Sequence, residues 1–174
     1  MHLIIRKKKL LLLLLKTLNM IQRIQSVYLS FIVLISLLLI KGSILVFSEK
    51  TGSIIKLTFD GIFRHNVGQG FELIEKLLPL SLLIILIPII SLITIFTFKN
   101  RKIQLKLAIV LIILCTLLII ALIHGSIITI SKLEASIVPG FKMFIPVAIL
   151  ILSILAYRGI KKDDQLVKSY DRLR

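Results

Sequence analysis

The sequence is poor in the residues that build catalytic and metal sites. It has one cysteine, three histidines and eight acidic residues in a chain of 174. A single cysteine excludes a disulfide or a cysteine metal cluster within one chain, and Cys115 is expected to act as a small apolar filler. The sequence contains no nucleophile–base pair, glycine-rich phosphate loop or metal-ligand spacing. We therefore expect no enzyme, no cofactor and no metal site.

Charge is also missing from long stretches of the chain, which are strongly apolar. Hydrophobic residues make up 57% of the sequence, above the share that is usual for a soluble domain. About 20 apolar residues cross a bilayer, and only a helix satisfies its own backbone there. Four runs meet this length, at about 26–47, 77–98, 105–125 and 141–160. The sequence predicts an all-α membrane protein with four transmembrane helices in an antiparallel bundle.

Basic residues are unevenly distributed among the segments between these spans. The net charge is +15, which in a soluble chain would suggest nucleic-acid binding. Sixteen of the 23 lysines and arginines lie before span one, between spans two and three, or after span four. Because cytoplasmic segments carry the basic excess, both termini are predicted to lie in the cytoplasm. The lipid bilayer is the expected partner, and nucleic acid is not.

Outside the spans, the first outer loop, at about 48–75, is the largest segment. Ile55 and Leu57 alternate with polar residues, and Asp60-Gly61 follows, which predicts a short β-hairpin. We expect the loop to pack against the outer ends of the helices, and a ligand-binding loop is the alternative. Residues 71–76 are expected to be an amphipathic lead-in to span two, and 126–140 a second outer loop.

Few polar side chains fall within the spans. Lys41 is either a lysine that snorkels to the outer surface or a functional counter-ion. His124, at the outer end of span three, is either an interfacial hydrogen-bonding residue or a ligand. The tail 161–174 is predicted to form an interfacial or partner-docking helix, with Asp163 or Asp164 as a helix cap.

The two ends of the sequence carry motif-like stretches. The chain reads MIQRIQSVYL from Met20 and YRGIKKDDQLVKSYDRLR through Arg174. In these stretches it resembles a family of short bacterial four-helix membrane proteins that is classed as a domain of unknown function. The resemblance covers about 20–174 and implies four spans in the cytoplasmic membrane. It implies no activity, substrate or cofactor.

The resemblance also bears on where the native protein starts. We expect Met20 to be the start and residues 1–19 to be a non-native extension, poorly ordered or a detached helix. The run of six leucines at 10–15 is too short to span a membrane. It also lacks a small-residue cleavage site, so a signal peptide is the weaker alternative.

The leading functional hypothesis is a structural or accessory subunit of the bacterial inner membrane. A protein partner is expected at the cytoplasmic face. The predicted partner or membrane-interface contacts are Arg23, Asp171, Arg172 and Arg174. The alternatives are a small-molecule or lipid transporter, for which Lys41 and His124 are candidate residues, and a membrane sensor that uses the outer loop 48–75.

Overall fold

The computed structural model describes residues 24–49, 52–65 and 70–171. The predictions for residues 1–19, Arg23, Arg172 and Arg174 lie outside this range, and Asp171 is described only as the last residue of a helix. The four helices are α1 at Ile24–Ile40, α2 at Leu78–Phe96, α3 at Arg101–Leu133 and α4 at Ile145–Asp171, the last preceded by a 3₁₀ turn at Phe141–Phe144. Consecutive helices run in opposite directions, so the predicted antiparallel arrangement is present.

Three of the helices are long and apolar enough to cross a membrane: α2, α3 and the helix formed by the 3₁₀ turn and α4. The described part of α1 is a shorter apolar helix of 17 residues. At 1.5 Å per residue, the 33 residues of α3 extend about 50 Å. That exceeds the roughly 30 Å of a hydrocarbon core, so α3 projects beyond the predicted span 105–125.

The prediction of an all-α protein is wrong, because five strands form an antiparallel sheet. They are β1 at Ser43–Ser48, β2 at Ile54–Thr58, β3 at Gly61–His65, β4 at Phe71–Lys76 and β5 at Ser136–Val138. The spatial order is β4-β3-β2-β1-β5. Residues 71–76 therefore form a strand, and the predicted outer loop 126–140 is helical as far as Leu133 before β5.

The first predicted span, 26–47, is divided between a helix and a strand. Helix α1 ends at Ile40, and Gly42 has a φ of 75°, a left-handed conformation that favours glycine at a helix end. The apolar run then continues as β1, in which Ile44, Leu45 and Phe47 are buried. Periodicity alone does not distinguish a buried strand from a buried helix in such a run.

The predicted hairpin is confirmed as β2 and β3. Leu57 pairs with Ile62 across the hairpin, and Ile55 and Leu57 are fully buried as their alternation predicted. The turn residues are Phe59 and Asp60, neither of which has a positive φ, so the turn is not of the primed type that Asp-Gly favours. Gly61 is required for another reason. A Cβ at this position would lie 2.2 Å from the Glu75 carbonyl oxygen on β4.

The sheet covers one end of the helices, as expected for a packed cap. Ser81, in the first turn of α2, donates a hydrogen bond of 2.7 Å to the carbonyl of Phe59. Gly125 of α3 lies against Leu57, where an added Cβ would be 3.3 Å from the Leu57 Cδ1 atom. The hydrophobic core is continuous from the sheet into the bundle.

Candidate functional site

A buried group of polar side chains lies at the end of the bundle opposite the sheet. The polar cluster consists of Gln25 on α1, Arg101 and Gln104 on α3, and Asp163 on α4. Gln25, Gln104 and Asp163 are each only 2% exposed. The four residues come from the start of α1, the start of α3 and the C-terminal part of α4. The cluster therefore connects these three helices at the same end of the bundle.

Arg101 is at the centre of the polar cluster. Its Nη1 atom lies 3.4 Å from Asp163 Oδ2, 3.4 Å from Gln25 Oε1 and 3.3 Å from Gln104 Oε1. Gln104 Nε2 donates a 3.2 Å hydrogen bond to the carbonyl of Thr94, which brings in the last turn of α2. The cluster thus contacts all four helices.

The polar cluster is incompletely hydrogen-bonded within the described part of the chain. Gln25 Nε2 and both carboxylate oxygens of Asp163 are buried with no hydrogen-bond partner there. The Arg101–Asp163 contact is therefore an ion pair by distance without good hydrogen-bond geometry. The guanidinium in the middle opposes the binding of a metal cation, and the described residues contain no group of three potential metal ligands. This arrangement links helices that are far apart in the sequence.

The prediction that Asp163 or Asp164 caps a helix is wrong, because both residues lie inside α4. Asp163 lies within α4, which continues without interruption to Asp171. A stripe of buried positions at helical spacing leads to it, namely Ile149, Ser153, Ala156, Ile160 and Asp163. This spacing continues past Lys161 and Lys162 and was the signal in the sequence. The two lysines are typical of the end of a span, so the predicted span four ends before Asp163.

At the opposite end, an apolar cavity of about 390 Å³ lies between α3, the start of α4 and the strands β1 and β5. Its walls are mainly aliphatic, including Ile44, Leu122, Ile127 and Val147. Ser126 is the polar side chain in the lining, and its hydroxyl already donates a 2.7 Å hydrogen bond to the Leu122 carbonyl. The cavity can therefore accept an apolar group, whereas a polar group would find only the acceptor lone pairs of the Ser126 oxygen among its side chains.

Comparison with known protein families identifies the family to which this chain belongs. The model of a domain of unknown function, DUF4293, matches residues 21–173, which is most of the sequence. The chain belongs to the DUF4293 family. The resemblance seen in the terminal motifs is thus confirmed at the level of the family. A comparison with curated proteins finds no match.

The DUF4293 match includes both the polar cluster and the apolar cavity, and it assigns no activity to either. The two polar residues predicted inside the spans are in neither place. Lys41 is exposed at the bend between α1 and β1, and its carbonyl accepts a hydrogen bond from Lys142 Nζ. His124 is exposed on α3, beside a smaller cavity of about 110 Å³ whose walls include Glu75 and Leu77.

Proposed function

We propose that this DUF4293 protein is a multi-pass protein of the bacterial cytoplasmic membrane that serves as a structural or accessory subunit, without catalytic activity of its own. The main support for the proposal is that the middle of the helix bundle is filled by apolar side chains and has no open path from one end to the other among the described residues. Fully buried apolar side chains from three helices fill the middle of the bundle: Ile84, Ile87, Leu111, Cys115, Leu118 and Ile149.

This packing argues against a transporter or channel among the functions considered. The polar cluster reaches Gln104 on α3, whereas the apolar cavity begins at Ile119 on the same helix. Fifteen residues of helix separate these positions, or about 22 Å. A permeation path requires polar or water-lined walls. The described buried residues between the two sites are mainly apolar, and buried serines among them, such as Ser91 and Ser153, donate their hydroxyl hydrogens to backbone carbonyls.

The distribution of charge supports the proposed orientation. The end of the bundle that holds the polar cluster also has a concentration of basic residues on the α2–α3 turn, at the start of α3 and on α4: Lys99, Arg101, Lys102, Lys106, Arg158, Lys161 and Lys162. The positive-inside rule assigns such an end to the cytoplasm. Both termini are then cytoplasmic, and the sheet is on the outer side.

The orientation is tested by cysteine accessibility. The native cysteine is first removed as Cys115→Ser, and single cysteines are introduced by Asp60→Cys at the β2–β3 turn or Lys102→Cys at the start of α3, both exposed positions. In spheroplasts, a membrane-impermeant maleimide should label the first variant and should label the second only after lysis. Labelling of Lys102→Cys in intact spheroplasts would refute the orientation.

The accessory role is tested by isolating the protein with its partners. Native protein is crosslinked in the membrane and purified in mild detergent, with the double variant Asp171→Ala/Arg172→Ala as the comparison. We expect a specific partner in the wild-type sample and a weakened complex in the variant, with equal membrane insertion of both. Recovery of the wild-type chain with no partner would remove the support for an accessory role.

A further inference from the structure

We infer that the apolar cavity binds one acyl chain of an anionic phospholipid from the surrounding membrane. The inference rests on the proposed membrane location and adds a ligand class to it. The cavity lies where the outer turns of α3 meet the beginning of α4, beneath the edge of the sheet formed by β1 and β5.

The lining of the cavity selects the chemistry of its occupant. A volume of about 390 Å³ falls within the range of ordinary ligand pockets. Water would be poorly accommodated, because buried water needs several polar partners and the lining offers one polar side chain, Ser126, whose donor hydrogen is already bonded to the Leu122 carbonyl. An aliphatic chain requires no hydrogen bonds and gains free energy from each methylene group that leaves water.

Entry to the cavity is from the lipid-facing side of α3. Ile123, Ile127 and Ile130 line the cavity and are 56%, 59% and 40% exposed. They belong to an apolar outer surface that continues along the middle of the helix through Ile120 and Ile113. In a membrane this surface is covered by acyl chains, so a chain can move sideways from the bilayer into the cavity.

A lysine lies next to a lining residue of the cavity in the sequence, and its charge suits an anionic head group. Met143 lines the cavity, and the adjacent Lys142 extends its ammonium group to the carbonyl of Lys41. This contact holds the Lys142 ammonium beside the backbone of Lys41, which lies three residues before the lining residue Ile44. An ammonium group retains further donors after one hydrogen bond, so Lys142 can also contact a phosphate.

Native mass spectrometry of delipidated full-length protein tests the inference, with phosphatidylglycerol or phosphatidylcholine added back. We expect one phosphatidylglycerol per chain, bound in preference to phosphatidylcholine. Ile127→Phe fills the cavity and should weaken binding by about tenfold or more, which corresponds to about 1.4 kcal/mol. Ile120→Phe is the matched control, because Ile120 is 56% exposed on the same helix and does not line the cavity.

A charge variant and a labelling experiment complete the test. Lys142→Gln should reduce the preference for phosphatidylglycerol, whereas Lys99→Gln, at the other end of the bundle, should not. Phosphatidylglycerol with a photoactivatable acyl chain should label wild-type peptides from residues 119–130. The inference is overturned if Ile127→Phe and Ile120→Phe weaken lipid binding equally. It is also overturned if the photoactivatable lipid labels other peptides, or if a protein and not a lipid is found bound at the cavity. The cysteine-accessibility result is independent, so membrane location and lipid binding can fail separately.

Discussion

Neutralising Arg101 should destabilise the protein more than any exposed basic residue at the same end of the bundle. The Asp163 side chain is 3% exposed and the Arg101 side chain 16%, with 3.4 Å between Nη1 and Oδ2. In Arg101→Gln the carboxylate remains buried and loses its ion-pair partner. Asp163 also has no hydrogen bond within the described residues, so no hydrogen bond from these residues compensates for the loss.

The magnitude follows from the geometry of the ion pair. At 3.4 Å and an effective dielectric constant of about 20, the attraction between the two charges is about 5 kcal/mol. Desolvation offsets much of this gain while the pair is intact, but removal of one partner leaves the other charge uncompensated, at a cost of about 3–5 kcal/mol. Asp163→Asn should cost less, because Arg101 is the more exposed partner and keeps its contacts with Gln25 and Gln104.

The assay is reversible unfolding of purified full-length protein in mixed detergent micelles, measured by circular dichroism. Arg158→Gln is the control, because Arg158 is exposed on α4 near the same end. The double variant Arg101→Gln/Asp163→Asn should be more stable than Arg101→Gln alone, since it no longer buries a charge. The reasoning is refuted if Arg101→Gln is no worse than Arg158→Gln, or if the double variant is the least stable of the set.

Two further predictions concern backbone packing and a bond between helices. Gly61→Ala should lose about 2–4 kcal/mol of stability, because the new Cβ meets the Glu75 carbonyl oxygen; Gly70→Ala, with nothing within 4 Å, should be neutral in the same unfolding assay. Ser91→Ala removes a buried 2.9 Å hydrogen bond to the Leu29 carbonyl and should cost about 0.6 kcal/mol. A loss near zero would show that the α1–α2 contact does not depend on that bond.

The sequence predicted the sheet only where alternation and turn residues coincided. Ile55 and Leu57, followed by Asp60-Gly61, gave the β2–β3 hairpin. Strand β1 was hidden because its SILVFS stretch continues the apolar run of α1, and only Lys41-Gly42 marks the break. Strand β5 has three residues, and it is defined by its pairing with β1, which lies far away in the sequence. Local pattern carries no information about such a partner.

The polar cluster could be predicted only in part for a similar reason. Asp163 and Gln25 each have a helical context in the sequence, but nothing local shows that they meet Arg101 at the start of a third helix. The tail 161–174 is predicted from the sequence to form a separate helix, so Asp163 is expected at a helix cap and not inside α4. Asp163 is buried because of how the helices pack, and no short motif in the sequence indicates that packing.

The pairing of β1 with β5 has a consequence for biosynthesis. Strand β1 pairs with β5, which lies about 90 positions later in the chain. The paired residues are Val46 with Val138, Phe47 with Ile137 and Ser48 with Ser136. During translation, β1 can pair with β2 as soon as β2 has been made. The other edge of β1 stays unpaired until α2 and α3 have been made and residues 136–138 have reached the end of the bundle that holds the sheet. An open edge is where strands pair wrongly. The chain therefore completes its sheet late, and faulty placement of α3 would expose β1 to association with other nascent chains.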